Sequence, residues 1–207
     1  MSFATVLLWK GAAAGFAIAA PVGPIGLLCI RRTLHQGKLA GFISGLGAAT
    51  ADLVYGLIAA TGISALNAWL VHRAPWLSVA GALFLIALGI HTWREPPAGE
   101  SGNARTGGLA ASFGSTFLLT LTNPMTIVSF VGLMAGLGAV AASSRAAPFS
   151  LAAGVFVGSA AWWLLLSGAT GLLRQRLSPE SLRWVNRIAA VTLIGFGLNT
   201  LRTAMAR

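Results

Sequence analysis

Helix-breaking residues stand at matching places in two apolar stretches of this chain, and that pairing restricts its fold more than any other feature. Ala20-Pro21-Val22-Gly23-Pro24-Ile25 is answered by Leu121-Thr122-Asn123-Pro124-Met125-Thr126, with Pro24 and Pro124 in register. Ala60-Thr61-Gly62 recurs as Ala169-Thr170-Gly171. Leu85-Ile86-Ala87-Leu88-Gly89, running on to Thr92 and Arg94, recurs as Leu193-Ile194-Gly195-Phe196-Gly197, running on to Thr200 and Arg202. Matches in the same order at nearly the same offset divide the chain into two related halves. Proline removes a backbone donor and clashes with the preceding turn, so each cluster frees carbonyls that need other partners. Backbone of that kind is tolerated at membrane depth only inside protein or along a wet cavity. Corresponding breaks in two hydrophobic halves are the sequence pointer to a transporter's binding site.

Lipid as the solvent follows from charge. Only 9% of the 207 residues are charged and 56% are hydrophobic, against about 25% charged in a soluble domain. One membrane domain over 1–207 is expected, with a first three-helix repeat at 1–94, a polar linker at 95–108 and a second repeat at 109–207. The net charge of +10 forms no stripe and no recognition motif, so nucleic acid is not an expected partner. The basic residues lie between apolar segments, where anionic lipid attracts them. The single cysteine, Cys29, forms no intrachain disulfide and no CxxC pair, and reads as a small packing residue. Residues 11–20 end in small residues, but Lys10 interrupts the early run and the apolar stretch continues to Ile30, so a retained membrane segment is expected rather than a signal peptide.

A spanning helix takes about 20 apolar residues. Six candidates meet this: 11–30, 39–71, 74–93, one within 106–144, 146–173, and one around 184–203, where Arg187 snorkels at the end. The expected fold is therefore an all-α integral membrane protein, with six helices arranged as two inverted three-helix repeats whose first helices are broken. Three spans per half force the second half to enter the membrane upside down. The loops after spans 1, 3 and 5 hold Arg31, Arg32, Lys38, Arg94, Arg105, Arg174, Arg176 and Arg183. The other side holds Lys10, Arg73, Arg145, Arg202 and Arg207. The larger group is expected in the cytoplasm, with both termini outside.

Asp52 is the one acidic residue inside an apolar segment. An ionisable group at that depth faces protein or water and is a functional hypothesis by default. It suits a substrate ammonium, a transported proton, or both in turn; a structural carboxyl held by a tyrosine or backbone group is the alternative. Tyr55, one turn on, is within reach of it, and Thr50 is a supporting residue. The matching place in the second half reads Ala161-Trp162-Trp163, so the carboxylate is not duplicated. Asn123 adds a side-chain donor and acceptor beside Pro124, with hydroxyls from Thr120, Thr122 and Thr126 nearby. Such mixed groups suit a zwitterionic small molecule. The expected binding and translocation residues are Pro21, Gly23, Pro24, Asp52, Tyr55, Thr122, Asn123 and Pro124.

Gly11-x-x-x-Gly15, Gly41-x-x-x-Gly45, Gly132-x-x-x-Gly136 and Gly154-x-x-x-Gly158 allow close helix approach; a homodimer face among them is left open. Trp69, Trp76, Trp93 and Trp184 suit an aromatic belt. His35, His72 and His91 share no ligand spacing, so no metal site is expected. The chain has no phosphate-binding GxxxxGK[ST] loop and no nucleophile–base–orienter set. Neither a cofactor nor enzymatic activity is expected.

These residues resemble the lysine-exporter (LysE) family of amino-acid efflux carriers. The marks are Pro21-Val22-Gly23-Pro24, the stretch from Gly45 through Asp52 to Gly56, Leu121-Thr122-Asn123-Pro124, and the stretch from Asn186 to Leu198. The resemblance implies export of amino acids or close analogues across a bacterial cytoplasmic (inner) membrane, driven by an ion or proton gradient, with the proline segments and Asp52 at the centre of the path. The family motif often has a lysine or similar polar residue after the second proline; Met125 stands there here. Other readings are a divalent-cation transporter of the same superfamily, for which Asp52 is a sparse ligand set, a membrane enzyme or redox protein, and a membrane assembly subunit without transport.

Overall fold

The computed structural model describes residues 2–21, 23–61, 64–94, 108–123, 126–127, 129–130, 147–173 and 179–205. The linker residues 95–107, Pro124, Met125, the Gly132/Gly136 pair, Arg145, Arg174, Arg176, Arg207 and the side chains of Trp69, His72 and Arg73 lie outside the described residues. All the regular structure described is helical: α1 (Phe3–Ala19), α2 (Pro24–Gln36), α3 (Lys38–Thr61), α4 (Ser64–Arg94), α5 (Leu109–Leu121), α6 (Ala147–Leu173) and α7 (Pro179–Met205). Lys38–Ile58, Ala147–Leu173 and Arg183–Met205 are long and apolar enough to cross a membrane, and α1 and α2, bent by 81° at the break between them, reach that length only when taken together, as a broken span or a re-entrant loop. The protein is a multi-pass membrane protein; Val79–Arg94 and Leu109–Leu121 are shorter apolar helices.

The bend has a local cause. Proline donates no hydrogen bond, and Gly23 is extended (φ −103°, ψ −159°) as the N-cap of α2, with Pro24 at the first helical position, where a missing N–H costs nothing. α2 then runs past the expected end of the first span, through Arg31 and Arg32, to Gln36. Gly37, at φ 99°, turns the chain straight into α3; a side chain would be strained in that left-handed conformation. The two arginines, expected in a cytoplasmic loop, are helical instead. Arg31 is buried and Arg32 half-buried, so neither counts as a loop charge for orientation. The second span is also shorter than expected, because α3 ends at Thr61 rather than near residue 71.

Close contacts give the packing directions. The Leu8 and Ala12 carbonyls sit over Gly154 and Gly158, and the Leu151 and Val155 carbonyls over Gly11 and Gly15, so α1 and α6 run parallel. Two of the small-residue motifs thus serve each other within one chain. Gly47 lies under the Phe113 carbonyl and Tyr55 reaches Leu121, making α3 and α5 parallel. α3 runs antiparallel to α6, with Gly45 against Trp163 and Gly56 against Ala152. α4 is antiparallel to α7, with Gly89 against Ala190 and Ile194, and Gly197 against Ala82 and Ile86.

Both antiparallel contacts read the same from either helix. A shift of 108 positions carries Ala82, Ile86 and Gly89 onto Ala190, Ile194 and Gly197. A shift of 107 carries Gly45 and Gly56 onto Ala152 and Trp163, and Asp52 onto Ser159. At Gly45, Gly89 and Gly197 an added Cβ would run into backbone or a packed side chain, whereas at Gly56 it would meet ordinary contacts from 3.4 Å.

Candidate functional site

Asp52 lies at the centre of the α3–α6 contact, 3% exposed. Its Oδ2 accepts a hydrogen bond from Ser159 Oγ at 2.7 Å. Ser159 Oγ in turn accepts from Trp163 Nε1 at 3.1 Å, one turn along α6. A buried carboxylate needs such donors, since an unpaired charge in a dry interior is costly. The repeat had placed the counterpart of Asp52 at Ala161-Trp162-Trp163. The helix contact pairs it with Ser159 instead, because the packing repeats at 107 positions and not at the 109 that aligns Thr61 with Thr170.

Tyr55 does not bond to Asp52 as expected. Its hydroxyl donates to the Leu121 carbonyl at 2.6 Å, while its ring stacks on Phe130 at 5.6 Å. Leu121 is the last residue of α5, so Tyr55 satisfies a carbonyl left open by the second break. Thr122 caps that helix. Its N–H bonds to the Leu118 carbonyl at 3.0 Å, and its Oγ1 donates to Leu118 O at 3.0 Å and Leu119 O at 3.2 Å. Gly81 of α4 packs against Thr122.

The two breaks share a backbone pattern. Gly23 O accepts from Leu27 N at 3.0 Å, and Asn123 O accepts from Ile127 N at 3.2 Å. In each case the residue before the proline closes the first turn of the next helical segment. Pro21 is exposed, Gly23 half-buried and Pro24 buried. Thr50 Oγ1 bonds to its own helix, at Leu46 O.

The breaks also converge in height along α3. Gly41 packs on Thr33 and the Cys29 carbonyl. Extending that antiparallel register brings Pro24 level with Leu46–Thr50, just before Asp52, where Ile25 and Leu28 share a core cluster with Ala48, Ala49 and Trp163. The second break reaches α3 at Tyr55, and Ile127 and Phe130 beyond it pack with Tyr55 and Val155. The start of α2, the carboxylate and the end of α5 therefore lie within about two turns of one helix.

A second polar centre went unread in the sequence. Arg32 Nη1 donates to Ser44 Oγ (2.9 Å), Ser112 O (2.8 Å) and Thr116 Oγ1 (2.8 Å), and Nη2 to Ser115 Oγ (2.7 Å). Arg31 Nη1 donates to Thr92 Oγ1 at 2.8 Å. The signal available was Gly37, which marks the end of the helix six residues after Ile30. Among the described residues no group of three or more His, Cys, Asp or Glu is arranged to hold a metal ion.

The family model for LysE type translocators matches residues 16–204. Over 189 residues the chain is 31% identical to a protein of Bacillus subtilis (strain 168) named "Putative amino acid efflux protein YcgF", covering 88% of this chain and 89% of that one. No solved structure matches.

Proposed function

This chain belongs to the LysE type translocator family, and from that premise we propose that it is a secondary carrier exporting amino acids or close analogues from the cytoplasm by proton antiport across a bacterial inner membrane. The observation that carries the reading is Asp52 itself, a buried acid that lies on α3 between the height of the α2 start and that of the α5 end. The name of the Bacillus relative supports amino acids as the cargo.

Six spans in two inverted repeats suit the contacts. Alternating spans require the first and fifth to be parallel, the second and fourth parallel, the second and fifth antiparallel, and the third and sixth antiparallel. The helix pairs run in those directions. Contacts that read the same from either helix support a two-fold axis crossing α3 near Asp52 and α4 near Leu85. Inverted halves that rock about such an axis expose a central site to one side and then the other.

In this mechanism the substrate ammonium meets Asp52 while its carboxylate meets the free amides of Ile25 and Gly26. These open the helix at Pro24, where the helix dipole favours negative charge. After the halves rock, a proton taken up by Asp52 from outside removes its attraction for the ammonium and releases the substrate. Returning with the proton completes antiport. Ser159 holds the carboxylate in place through both states.

The test is efflux from preloaded cells lacking their own exporters, using a mixture of labelled amino acids. Faster loss of one or a few of them, abolished by collapsing the proton gradient, is the expected outcome. Unchanged loss of every amino acid, with the protein present in the membrane, would overturn amino-acid export. Loss that survives collapse of the gradient would overturn proton coupling alone.

A further inference from the structure

We infer that Arg32 forms a separate carboxylate-binding station, which the substrate meets before or after Asp52 and never together with it. The inference rests on the amino-acid reading for the identity of the cargo, but the station itself is argued from its own geometry.

Arg32 sits where α2, α3 and α5 meet. Its guanidinium is held by three hydroxyls and one carbonyl, all of them neutral. Among the described residues no carboxylate lies within ion-pair distance of it. Among the described residues, hydrogen bonds to neutral oxygens satisfy the N–H groups but leave the charge uncancelled, and a half-buried charge without a counter-ion still carries a desolvation cost. The planar fork of an arginine matches a carboxylate better than any other side chain does. An anion arriving from outside supplies the counter-charge that the described residues do not.

Those hydroxyls are suited to letting go. Ser44, Ser115 and Thr116 each also donate to a carbonyl of their own helix, at Ala40, Ala111 and Ser112. When an anion takes the guanidinium, they stay paired, so the exchange strands no buried hydroxyl proton.

Distance separates this station from Asp52. Ser44, which Arg32 touches, lies eight residues before Asp52 on α3, about 12 Å along the helix. Arg32 likewise lies eight residues beyond Pro24 on α2. An α-amino acid carries its carboxylate and ammonium on one carbon and cannot reach across that span. The two charged centres therefore act in succession, Arg32 on the carboxylate at one end of the path and Asp52 on the ammonium near the middle.

The experiment has a binding arm and a transport arm. Purified full-length protein is melted in sodium acetate, with sodium chloride and ethylammonium chloride at equal ionic strength as controls. Acetate at ten times its dissociation constant is expected to raise the melting temperature of the wild type by roughly 2–5 °C over chloride. The shift should persist in Asp52→Asn and vanish in Arg32→Gln, which keeps a hydrogen-bonding side chain at that place. If Arg32→Gln does not fold, Arg32→Lys takes its place, with the shift expected to fall by at least half. In the transport arm, Arg32→Lys is expected to raise the KM for an exported amino acid about tenfold with kcat within twofold, the pattern of a lost binding contact.

An acetate shift equal in wild type and Arg32 variants, or no shift at all, would overturn the station. So would a fall in kcat with unchanged KM, which marks Arg32 as a structural tie. If acetate binds through Arg32 but no amino acid leaves the cells, the station stands and the cargo assignment fails. If amino acids are exported and acetate ignores Arg32, the export reading stands and the station falls.

Discussion

Two antiparallel helix contacts, α4 on α7 and α3 on α6, have the same construction and different contents. In the first, a glycine faces an alanine and an isoleucine from each side, so the two helices are interchangeable there. In the second, the backbone register is just as even-handed, yet a carboxylate meets a hydroxyl at its centre. The backbone treats the two helices of the pair alike, and the polar group breaks the equality. A tight symmetric contact made of small residues holds helices together without specifying chemistry. A lone buried acid does the opposite, adding a demand for partners.

The largest effect that tests this contrast is at Asp52. Asp52→Asn should cut efflux roughly a hundred-fold, as expected from losing a charged contact worth about 3 kcal/mol, and should flatten the dependence of efflux on external pH. Normal elution and melting of that variant separate lost chemistry from lost fold; undiminished efflux would leave the α3–α6 contact as purely structural as its counterpart. Next come Gly89→Ala and Gly197→Ala. Each adds a methyl against backbone and an isoleucine, and each should cost about 1–3 kcal/mol. The key outcome is their equality in thermal melts, since a large difference would break the symmetry of α4 on α7.

A sharper test exchanges the unlike residues. Asp52→Ser combined with Ser159→Asp keeps one acid and one hydroxyl at the centre, and should retain efflux to within about tenfold of wild type, a loss of no more than about 1.4 kcal/mol. Efflux as low as in Asp52→Asn would mean that the acid must stand on α3. Smaller again is Tyr55→Phe, which strips the Leu121 carbonyl of its donor and should lower stability by about 1 kcal/mol, measurable as an earlier denaturation midpoint. The smallest change belongs to Gly195→Ala. A Cβ there meets nothing within 4 Å, so stability should hold or rise by about 0.5–1 kcal/mol. A fall similar to that of Gly197→Ala would show that generic helix effects, not the contact, govern this face.

The helix break at Pro24 and the burial of the isolated acid were legible in the sequence because each rests on a local signal. Ala147–Leu173 was legible too, as an uninterrupted apolar run. What escaped was contact between helices. The sequence repeat aligns Thr61 with Thr170, and carrying that offset to Asp52 pointed at Ala161. Antiparallel helices close at a slightly different register, and Ser159 became the partner. Arg31 and Arg32 were misread for a related reason. Charge beside an apolar stretch looks like a loop until the acceptors that allow its burial, on Ser44, Ser112, Ser115, Thr116 and Thr92, are brought in from elsewhere in the chain. Tyr55 was placed near the right region but given the wrong partner, because sequence spacing sees one helix and its hydroxyl reaches another.

The pairing of Asp52 with Ser159 also limits which residues the crossing can hold. The two stand within hydrogen-bonding distance, at 2.7 Å, so an acid at both places would face an acid. Like charges that close repel unless one of them keeps a proton. With a hydroxyl opposite, the carboxylate has a donor whether or not it is charged, and the crossing stays closed without a shared proton.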